Sequence, residues 1–164
     1  MAKQPEIGDW RYFVEYLDYA FHVAHDTDYH ALLTYNDYGT EDDSDENQAK
    51  RECVFQLLSG MLKQRSFRTS FVNTLTDAKR ALQTDTPAIL FLDNHLPDGY
   101  GLEFISYIKE QYPEVKIIMI TAHDGAAERK QAYDGGVDLF VAKPLNRKLI
   151  YDAIDKLHQY NAAV

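Results

Sequence analysis

Cysteine is almost absent from this chain, with Cys53 the one cysteine among 164 residues. A single cysteine cannot form an intramolecular disulfide or a cysteine-based zinc site, and it fits a reducing compartment. No apolar run approaches the ~20 residues of a membrane span, and the first ten residues, MAKQPEIGDW, contain no apolar stretch typical of a secretory signal. The sequence therefore predicts a cytoplasmic protein in which Cys53 is a small buried residue of a helix.

Positive charge is also scarce. The chain has 17 Lys and Arg against 26 Asp and Glu, which gives a net charge of -9 and a pI near 5.0. This balance argues against nucleic-acid backbone and anionic membrane as default partners, so we expect neither direct nucleic-acid binding nor membrane association. The apolar content of 45% is enough for one good core, which predicts a single domain with an elaboration.

Short β-branched runs alternate with amphipathic segments from residue 30 onward. We predict strands within residues 30–37, 68–74, 88–93, 115–121 and 137–143, and helices within 46–65, 75–85, 101–112, 126–135 and 146–160. This alternation is typical of an α/β fold with a parallel sheet covered on both faces. A further aromatic-rich helix is predicted within 9–25, so residues 1–30 form a helical extension and residues 31–164 the α/β domain.

The helix predicted at 46–65 carries several apolar residues at helical spacing. One stripe holds Cys53, Leu57 and Met61, and its neighbours are Val54, Leu58 and Leu62. The helix is preceded by a segment with five acids among residues 41–46, which is typical of a solvated loop.

Four of the predicted strands end in a polar residue. These residues are Asp37, Asp93, Thr121 and Lys143. Ligands of open parallel sheets bind at the carboxyl ends of the strands, so the four side chains are expected at one edge. Carboxylates suit Mg²⁺, an ammonium supplies a compact positive charge, and a hydroxyl donates to a phosphoryl oxygen. The set predicts a site for a phosphoryl group with Mg²⁺ as cofactor.

Residues 31–158 resemble the receiver domain of two-component response regulators. The resemblance is carried by three segments, which are LFLDNHLPDGYGLEF, IIMITAH and GGVDLFVAKPL. It implies a doubly wound, flavodoxin-like sheet of five parallel strands in the order 2-1-3-4-5. It also implies that Asp93 is the phospho-acceptor, that Thr121 and Lys143 contact the phosphoryl oxygens and that Phe140 is the aromatic switch. The bond between Lys143 and Pro144 is expected to be cis.

The resemblance also implies a set of metal ligands. Mg²⁺ would be held by Asp37, Asp93 and the backbone carbonyl of His95. Asn36 stands where the family usually has an acid, and its amide oxygen could still bind a metal-bound water. An alternative alignment uses Asp42 and Asp43, which lie several residues beyond the apolar run.

Two histidines lie near the proposed acceptor in sequence. His95 follows Asp93 by two residues and His123 follows Thr121 by two. By resemblance these positions rim the site, and we expect them to tune the lifetime of the aspartyl phosphate. The alternatives are solvent-exposed rim residues without a role, or a transition-metal site formed with Asp93.

Taken as a whole, the resemblance implies a phosphorelay signalling protein. Because Val164 closely follows the last predicted helix, we expect a stand-alone receiver that is phosphorylated by a histidine kinase or a histidine phosphotransfer protein and acts on a downstream protein target. The N-terminal helix is expected either to pack on the receiver or to make a homodimer. The main alternative is a phosphorylation-independent pseudo-receiver that serves as an interaction module. A haloacid-dehalogenase-like phosphohydrolase would need an aspartate at the position of His95, and a flavodoxin-type binder would need a phosphate loop after the first strand.

Overall fold

The structure, a computed structural model, describes residues 29–36 and 45–161, with side chains to residue 157. The helix predicted within 9–25, the metal ligand predicted at Asp37 and its alternatives Asp42 and Asp43 lie outside the described residues. No helix in the described part of the chain is long and apolar enough to cross a membrane.

Five parallel strands form the central sheet. They are β1 (Tyr29–Thr34), β2 (Phe67–Val72), β3 (Ile89–Asp93), β4 (Lys116–Thr121) and β5 (Leu139–Ala142). Their spatial order is β2-β1-β3-β4-β5, which confirms the predicted order 2-1-3-4-5. The change of direction between β1 and β3 creates a crevice at the carboxyl edge, where ligands bind in doubly wound sheets. A short antiparallel ladder joins His95–Leu96 to Gly99–Tyr100 just beyond β3.

In the described part of the chain, five helices connect and flank the strands. They are α1 (Asp45–Lys63), α2 (Leu75–Thr84), α3 (Gly101–Gln111), α4 (Ala126–Gly135) and α5 (Arg147–Asn161). Helix α2 begins at a local signal, since the Thr74 hydroxyl accepts a hydrogen bond from the backbone N–H of Asp77. Such a cap satisfies a backbone donor that the first helical turn leaves unpaired.

The core lies on both faces of the sheet. All five residues of β3 are buried, and their side chains alternate between two apolar clusters. Phe91 packs with Ile118 and Ile120 on the face covered by α1 and α5, whereas Leu90 and Leu92 belong to the opposite cluster. A strand buried on both faces explains the uninterrupted apolar run that precedes Asp93.

The buried face of α1 differs from the predicted stripe. Cys53 is exposed and Leu57 is 52% exposed, so the prediction that Cys53 is a buried residue was wrong. The buried positions of this helix are Phe55, Leu58, Met61 and Leu62. The Phe55 ring stacks on that of Phe71 at a centroid distance of 4.3 Å, which turns the face containing Phe55 toward the sheet. Several adjacent apolar residues allowed two stripes, and the larger aromatic side chain occupies the core.

Candidate functional site

Asp93 lies at the carboxyl end of β3 and is 1% exposed. Its Oδ2 accepts hydrogen bonds from the Lys143 ammonium at 2.7 Å and from the Asn36 backbone N–H at 2.9 Å. Its Oδ1 accepts one from the His95 backbone N–H at 3.1 Å. A buried carboxylate is costly unless it is paired and hydrogen-bonded, and these three donors meet that requirement.

Lys143 follows β5 and brings its ammonium across the edge of the sheet. Besides Asp93, the Nζ atom donates to the backbone carbonyl of Asn36 at 2.6 Å. It also lies 4.2 Å from the centre of the Tyr35 ring, a distance at which the ring face attracts a cation. The Lys143–Pro144 peptide bond is cis, as predicted. Asp93 and Lys143 are thus brought into direct contact, and the segment after β1 joins them through Tyr35 and Asn36.

The backbone around Asp93 is tightly fixed. The Thr34 hydroxyl accepts from the Asp93 N–H at 2.8 Å and donates to the Phe91 carbonyl at 3.1 Å, which ties the end of β1 to that of β3. Gly101, the first residue of α3, lies so close that a Cβ there would be 2.5 Å from the Asp93 carbonyl oxygen. Asp93 is therefore held between β1 and α3.

The loop between β3 and α3 is anchored at a second point. Asp98 accepts hydrogen bonds from the backbone N–H groups of Leu75 and Thr76 and from the Thr76 hydroxyl, at 2.8 to 2.9 Å. Burial opposes ionisation of Asp98, but these hydrogen bonds outweigh it and lower the pKa of its carboxyl group. A carboxylate at the start of α2 also suits the positive end of the helix dipole.

Thr121 ends β4 and is fully buried, beside the site. Its hydroxyl donates to Glu128 Oε1 at 3.3 Å and accepts from the His123 N–H at 3.1 Å. Glu128 also accepts from the Asn94 side-chain amide at 2.7 Å. The hydroxyl of Thr121, which the sequence predicted to contact a phosphoryl group, is thus directed toward Glu128 in the first turn of α4. Sequence reasoning missed Glu128 and Asn94, because an acid in a first helical turn is usually explained by the helix dipole alone.

Two histidines lie side by side on the rim. The ring centroids of His95 and His123 are 5.5 Å apart, and the exposed Tyr100 ring lies 5.4 Å from that of His95. Within residues 29–36 and 45–161, no three His, Cys, Asp or Glu side chains form a group that could hold a metal ion, so the transition-metal alternative with Asp93 is not formed.

Phe140, the predicted aromatic switch, lies in β5 and is 8% exposed. It belongs to the apolar cluster on the α3 and α4 side of the sheet. The Arg129 guanidinium lies 4.8 Å from its ring centre, and Arg129 also pairs with Asp124 in the loop before α4. Phe140 is therefore packed inward beneath a cation of the first turn of α4.

The oxygen atoms at this edge fit a hard cation. Among the described residues, Asp93 Oδ1 accepts a single hydrogen bond, from the His95 N–H, and it retains acceptor capacity that Oδ2 has largely used. Carboxylate and backbone carbonyl oxygens are the ligands that Mg²⁺ prefers, usually with several waters retained. The contacts of Asn36 run through its backbone N–H and carbonyl, whereas its side chain was the predicted ligand.

The family model for the response regulator receiver domain matches residues 46–155. This chain belongs to the response regulator receiver family. The match begins after β1, so it does not include the acid-bearing segment beyond that strand. A second family model, glycosyl hydrolase family 10, matches residues 10–68. That shorter match includes β1, α1 and the start of β2, and the two strands belong to the receiver sheet.

Curated relatives of this receiver are bacterial regulators. The photosynthetic apparatus regulatory protein RegA of Rhodobacter capsulatus is 29% identical over 97 residues, which are 59% of this chain and 53% of RegA. The transcriptional regulatory protein KdpE of Staphylococcus aureus is 31% identical over 112 residues, which are 65% of this chain and 48% of KdpE. The receiver therefore spans about half the length of these relatives.

Solved receiver domains share the fold. The signal receiver domain of a Luxo repressor protein from Vibrio parahaemolyticus has a TM-score of 0.67 at 21% identity, covering 83% of this chain and 93% of that one. The beryllofluoride-activated NtrC4 receiver domain dimer has a TM-score of 0.64 at 25% identity, covering 77% and 93%.

Proposed function

We propose that this receiver accepts a phosphoryl group on Asp93 from a phosphohistidine of a histidine kinase or histidine phosphotransfer protein. The observation that supports this most is the buried Asp93 carboxylate 2.7 Å from the Lys143 ammonium, at the carboxyl edge of the sheet. In the transfer, a carboxylate oxygen of Asp93 bonds to phosphorus while the bond from phosphorus to the donor nitrogen breaks, leaving the electron pair on the imidazole. The receiver is then a signalling phospho-acceptor whose own activity is limited to self-phosphorylation and self-dephosphorylation.

The proposed cofactor is Mg²⁺. Asp93 and the backbone carbonyl of His95 are the ligands we assign from the described residues, with Asp37 and, through water, the Asn36 side chain completing the set. When bound, the ion offsets the negative charge that builds up on the transferring group. Asp93 supplies the nucleophilic oxygen. The hydrogen bond from the Asp93 backbone N–H to the Thr34 hydroxyl keeps the residue in place.

The local energies are large enough for a switch. A charge pair at 4 Å contributes about 4 kcal/mol at an effective dielectric of 20, and a charge-assisted hydrogen bond from Thr121 adds about 1.5 to 3 kcal/mol. Reversing a two-state equilibrium from 1:99 to 99:1 requires about 5.5 kcal/mol of differential binding. Only the binding free energy that differs between the two states shifts the equilibrium, so both contacts are needed.

The proposed output is a change of surface. If the Thr121 hydroxyl turns toward the phosphoryl group, it vacates space that the Phe140 ring can fill, and the surface formed by residues 124–160 changes. We propose that this surface binds a downstream protein and that the receiver works in the cytoplasm. Because the similar NtrC4 receiver is a dimer in its beryllofluoride-activated form, we propose a homodimer for this chain as well. Size-exclusion chromatography with and without beryllium fluoride and Mg²⁺ tests that form.

The decisive experiment is phosphorylation by a small-molecule donor. The full chain is incubated with acetyl phosphate and Mg²⁺, and the added phosphoryl group is located by mass spectrometry. We expect modification at Asp93 and none in Asp93→Asn. A label that persists in Asp93→Asn would refute the assignment of the acceptor, and an unmodified wild type would favour the phosphorylation-independent interaction module.

The rim histidines are proposed to tune the lifetime of the phosphoryl group. The rings of His95 and His123 are neighbours, and the backbone N–H of His95 donates to Asp93, so an imidazole could interact with the phosphoryl group or with the attacking water. Dephosphorylation of the wild type and of His123→Ala is compared between pH 6 and 8. Two identical rate profiles would end this proposal.

A further inference from the structure

Glu128 connects two groups next to the proposed acceptor. Its Oε1 accepts from both the Asn94 side-chain amide, at 2.7 Å, and the Thr121 hydroxyl, at 3.3 Å. Asn94 directly follows Asp93, and Thr121 is the last residue of the neighbouring strand. One carboxylate oxygen on α4 is therefore shared between the strand that carries the acceptor and the strand that carries the hydroxyl.

Asn94 fixes the position of that carboxylate. It is buried, its backbone N–H donates to the Ile120 carbonyl at 3.0 Å, and its side-chain oxygen accepts from the Leu102 N–H at 3.0 Å. The amide group that points to Glu128 is thus held by strand β4 on one side and helix α3 on the other. The shorter bond from Asn94 anchors the carboxylate, and the longer bond from Thr121 is the weaker of the two.

Thr121 has one hydroxyl hydrogen to give. Its oxygen already accepts from the His123 N–H, and its hydrogen is directed to Glu128. A threonine hydroxyl donates a single hydrogen bond, so it cannot serve Glu128 and a phosphoryl oxygen at the same time. We propose that Glu128 competes with a phosphoryl group on Asp93 for the hydroxyl hydrogen of Thr121 and thereby sets how readily the receiver is activated. This inference rests on the proposed function.

The next residue of α4 extends the effect to Phe140. Arg129 places its guanidinium over the Phe140 ring at 4.8 Å and pairs with Asp124. Consecutive residues of one helical turn therefore restrain the proposed hydroxyl and the proposed aromatic switch. When Thr121 leaves Glu128, the turn loses one of its contacts to the sheet, and the restraint on Phe140 weakens with it. Glu128 acts through Thr121, which makes it a positioning residue.

The test measures binding of beryllium fluoride with Mg²⁺ to the full chain by fluorine NMR. Glu128→Ala frees the Thr121 hydroxyl, so we expect the apparent affinity to rise about fivefold, the size of one modest hydrogen bond. Glu128→Gln keeps a neutral acceptor oxygen, so its rise is smaller. Asp134→Ala is the matched control, since it removes a carboxylate from the same helix that pairs with Lys130 at the exposed surface, and its affinity should equal that of the wild type.

Two further measurements separate competition from a general structural effect. In a Thr121→Ala background, Glu128→Ala should no longer raise the affinity, because the hydroxyl for which it competes is gone. In the protein without Mg²⁺ or beryllium fluoride, Glu128→Ala should shift the amide proton of His123, which donates to the Thr121 oxygen, and Asp134→Ala should leave it unchanged. Thermal unfolding of each variant verifies that it is folded.

The outcomes are distinct. An affinity of Glu128→Ala equal to or below that of the wild type overturns the inference and leaves the proposed function intact. Equal gains in Glu128→Ala and Glu128→Gln, with the same gain in the Thr121→Ala background, also overturn it, because the negative charge alone would then be responsible. A wild type that binds no beryllium fluoride overturns the proposed function and this inference together.

Discussion

Two Asp–Lys pairs of the same length lie at opposite edges of the sheet. Asp93 and Lys143 meet at 2.7 Å at the carboxyl edge, and Asp138 and Lys109 meet at 2.7 Å at the amino edge. The first pair is the more deeply buried, with side chains 1% and 12% exposed against 21% and 24%. Pair geometry alone therefore does not distinguish a chemical site from a structural contact.

The surroundings of the two pairs differ. Asp138 Oδ2 also accepts from the Ile117 N–H at 2.8 Å, and Lys109 also donates to the Val115 carbonyl at 3.1 Å. These bonds join α3 to the start of β4 and the approach to β5. At the carboxyl edge, the pair is bonded to the backbone of Asn36 after β1 and to the His95 N–H after β3, and Asp93 Oδ1 keeps acceptor capacity. The amino-edge pair ties the fold together, whereas the carboxyl-edge pair leaves Asp93 Oδ1 able to accept further bonds.

The largest expected difference comes from removing each lysine. Lys143→Met should lower the rate of phosphoryl acceptance from acetyl phosphate by about a hundredfold or more, since a charge contact of about 4 kcal/mol at an effective dielectric of 20 is lost from the developing anion. Lys109→Met should leave that rate unchanged. Mass spectrometry over a time course measures both. Similar losses in the two variants would mean that the pairs are not functionally distinct.

The next effect concerns stability. Asp138→Asn removes the charge that holds Lys109 and weakens the bond to the Ile117 N–H, so the free energy of unfolding should fall by about 2 kcal/mol. Urea denaturation measures the change. Asp134→Asn, in an exposed pair on α4, is the control and should change stability by less than about 1 kcal/mol. If folded Asp138→Asn still accepts the phosphoryl group at the normal rate, the two edges have different roles. If the folded variant has lost phosphoryl acceptance, the contrast between the edges is contradicted.

Much of this arrangement could be predicted from the sequence because strand direction is uniform. In a parallel sheet, all carboxyl ends lie at one edge, so the polar residues that end the strands had to gather there. Asp93 and Lys143 were recognised in this way. Thr121 was also expected at this edge, but the partner of its hydroxyl depends on where the first turn of α4 sits. That position is set by tertiary packing, which a single acid in the sequence AAERK does not reveal.

Other features escaped prediction for different reasons. The exposed Cys53 and Leu57 show that helical spacing leaves the choice of buried face open when apolar residues are adjacent. Tyr35 covers the Lys143 ammonium, and Thr34 connects two strand ends, yet both are ordinary residues for the end of a strand. Their roles follow from the neighbouring strand, which becomes known only with the sheet order.

A pH effect should arise at the amino edge. His30 is buried in β1, where its ring nitrogens lie 2.6 Å from the Ser70 hydroxyl and 3.5 Å from Asp85. Burial first, and then the Arg68 guanidinium, lower the pKa of His30 from its ordinary value of 6.5, although Asp85 opposes this. The unfolded chain therefore takes up the proton at higher pH than the folded one. Stability should fall as the pH drops below 6.5, by at most about 1.4 kcal/mol per pH unit.

Urea denaturation of the wild type and His30→Gln between pH 7.5 and 5.5, values that bracket the ordinary histidine pKa of about 6.5, measures this dependence. Glutamine can still bond to the Ser70 hydroxyl but does not titrate, so the slope in the variant should be shallower. Equal slopes would show that His30 does not contribute to the pH dependence at this edge.

The smallest effect is expected for an exposed pair that joins the turn after α1 to α5. Arg65 contacts Asp155 at 2.7 Å, and its guanidinium lies 4.4 Å from the centre of the Tyr151 ring. Arg65→Ala should reduce the free energy of unfolding by less than about 1 kcal/mol, because exposed ion pairs are weak. A loss as large as that of Asp138→Asn in the same denaturation assay would remove the distinction between surface and half-buried pairs.

Gly101 gives the carboxyl edge a constraint that no charge could provide. Because a methyl group there would collide with the Asp93 carbonyl oxygen, a helix can rest directly against the backbone of the residue that we propose is modified. Any added side chain would act as a spacer and displace the aspartate by a fraction of an ångström relative to the lysine. The position of Asp93 relative to Lys143 then depends on the absence of a Cβ atom at residue 101 as much as on the charged groups.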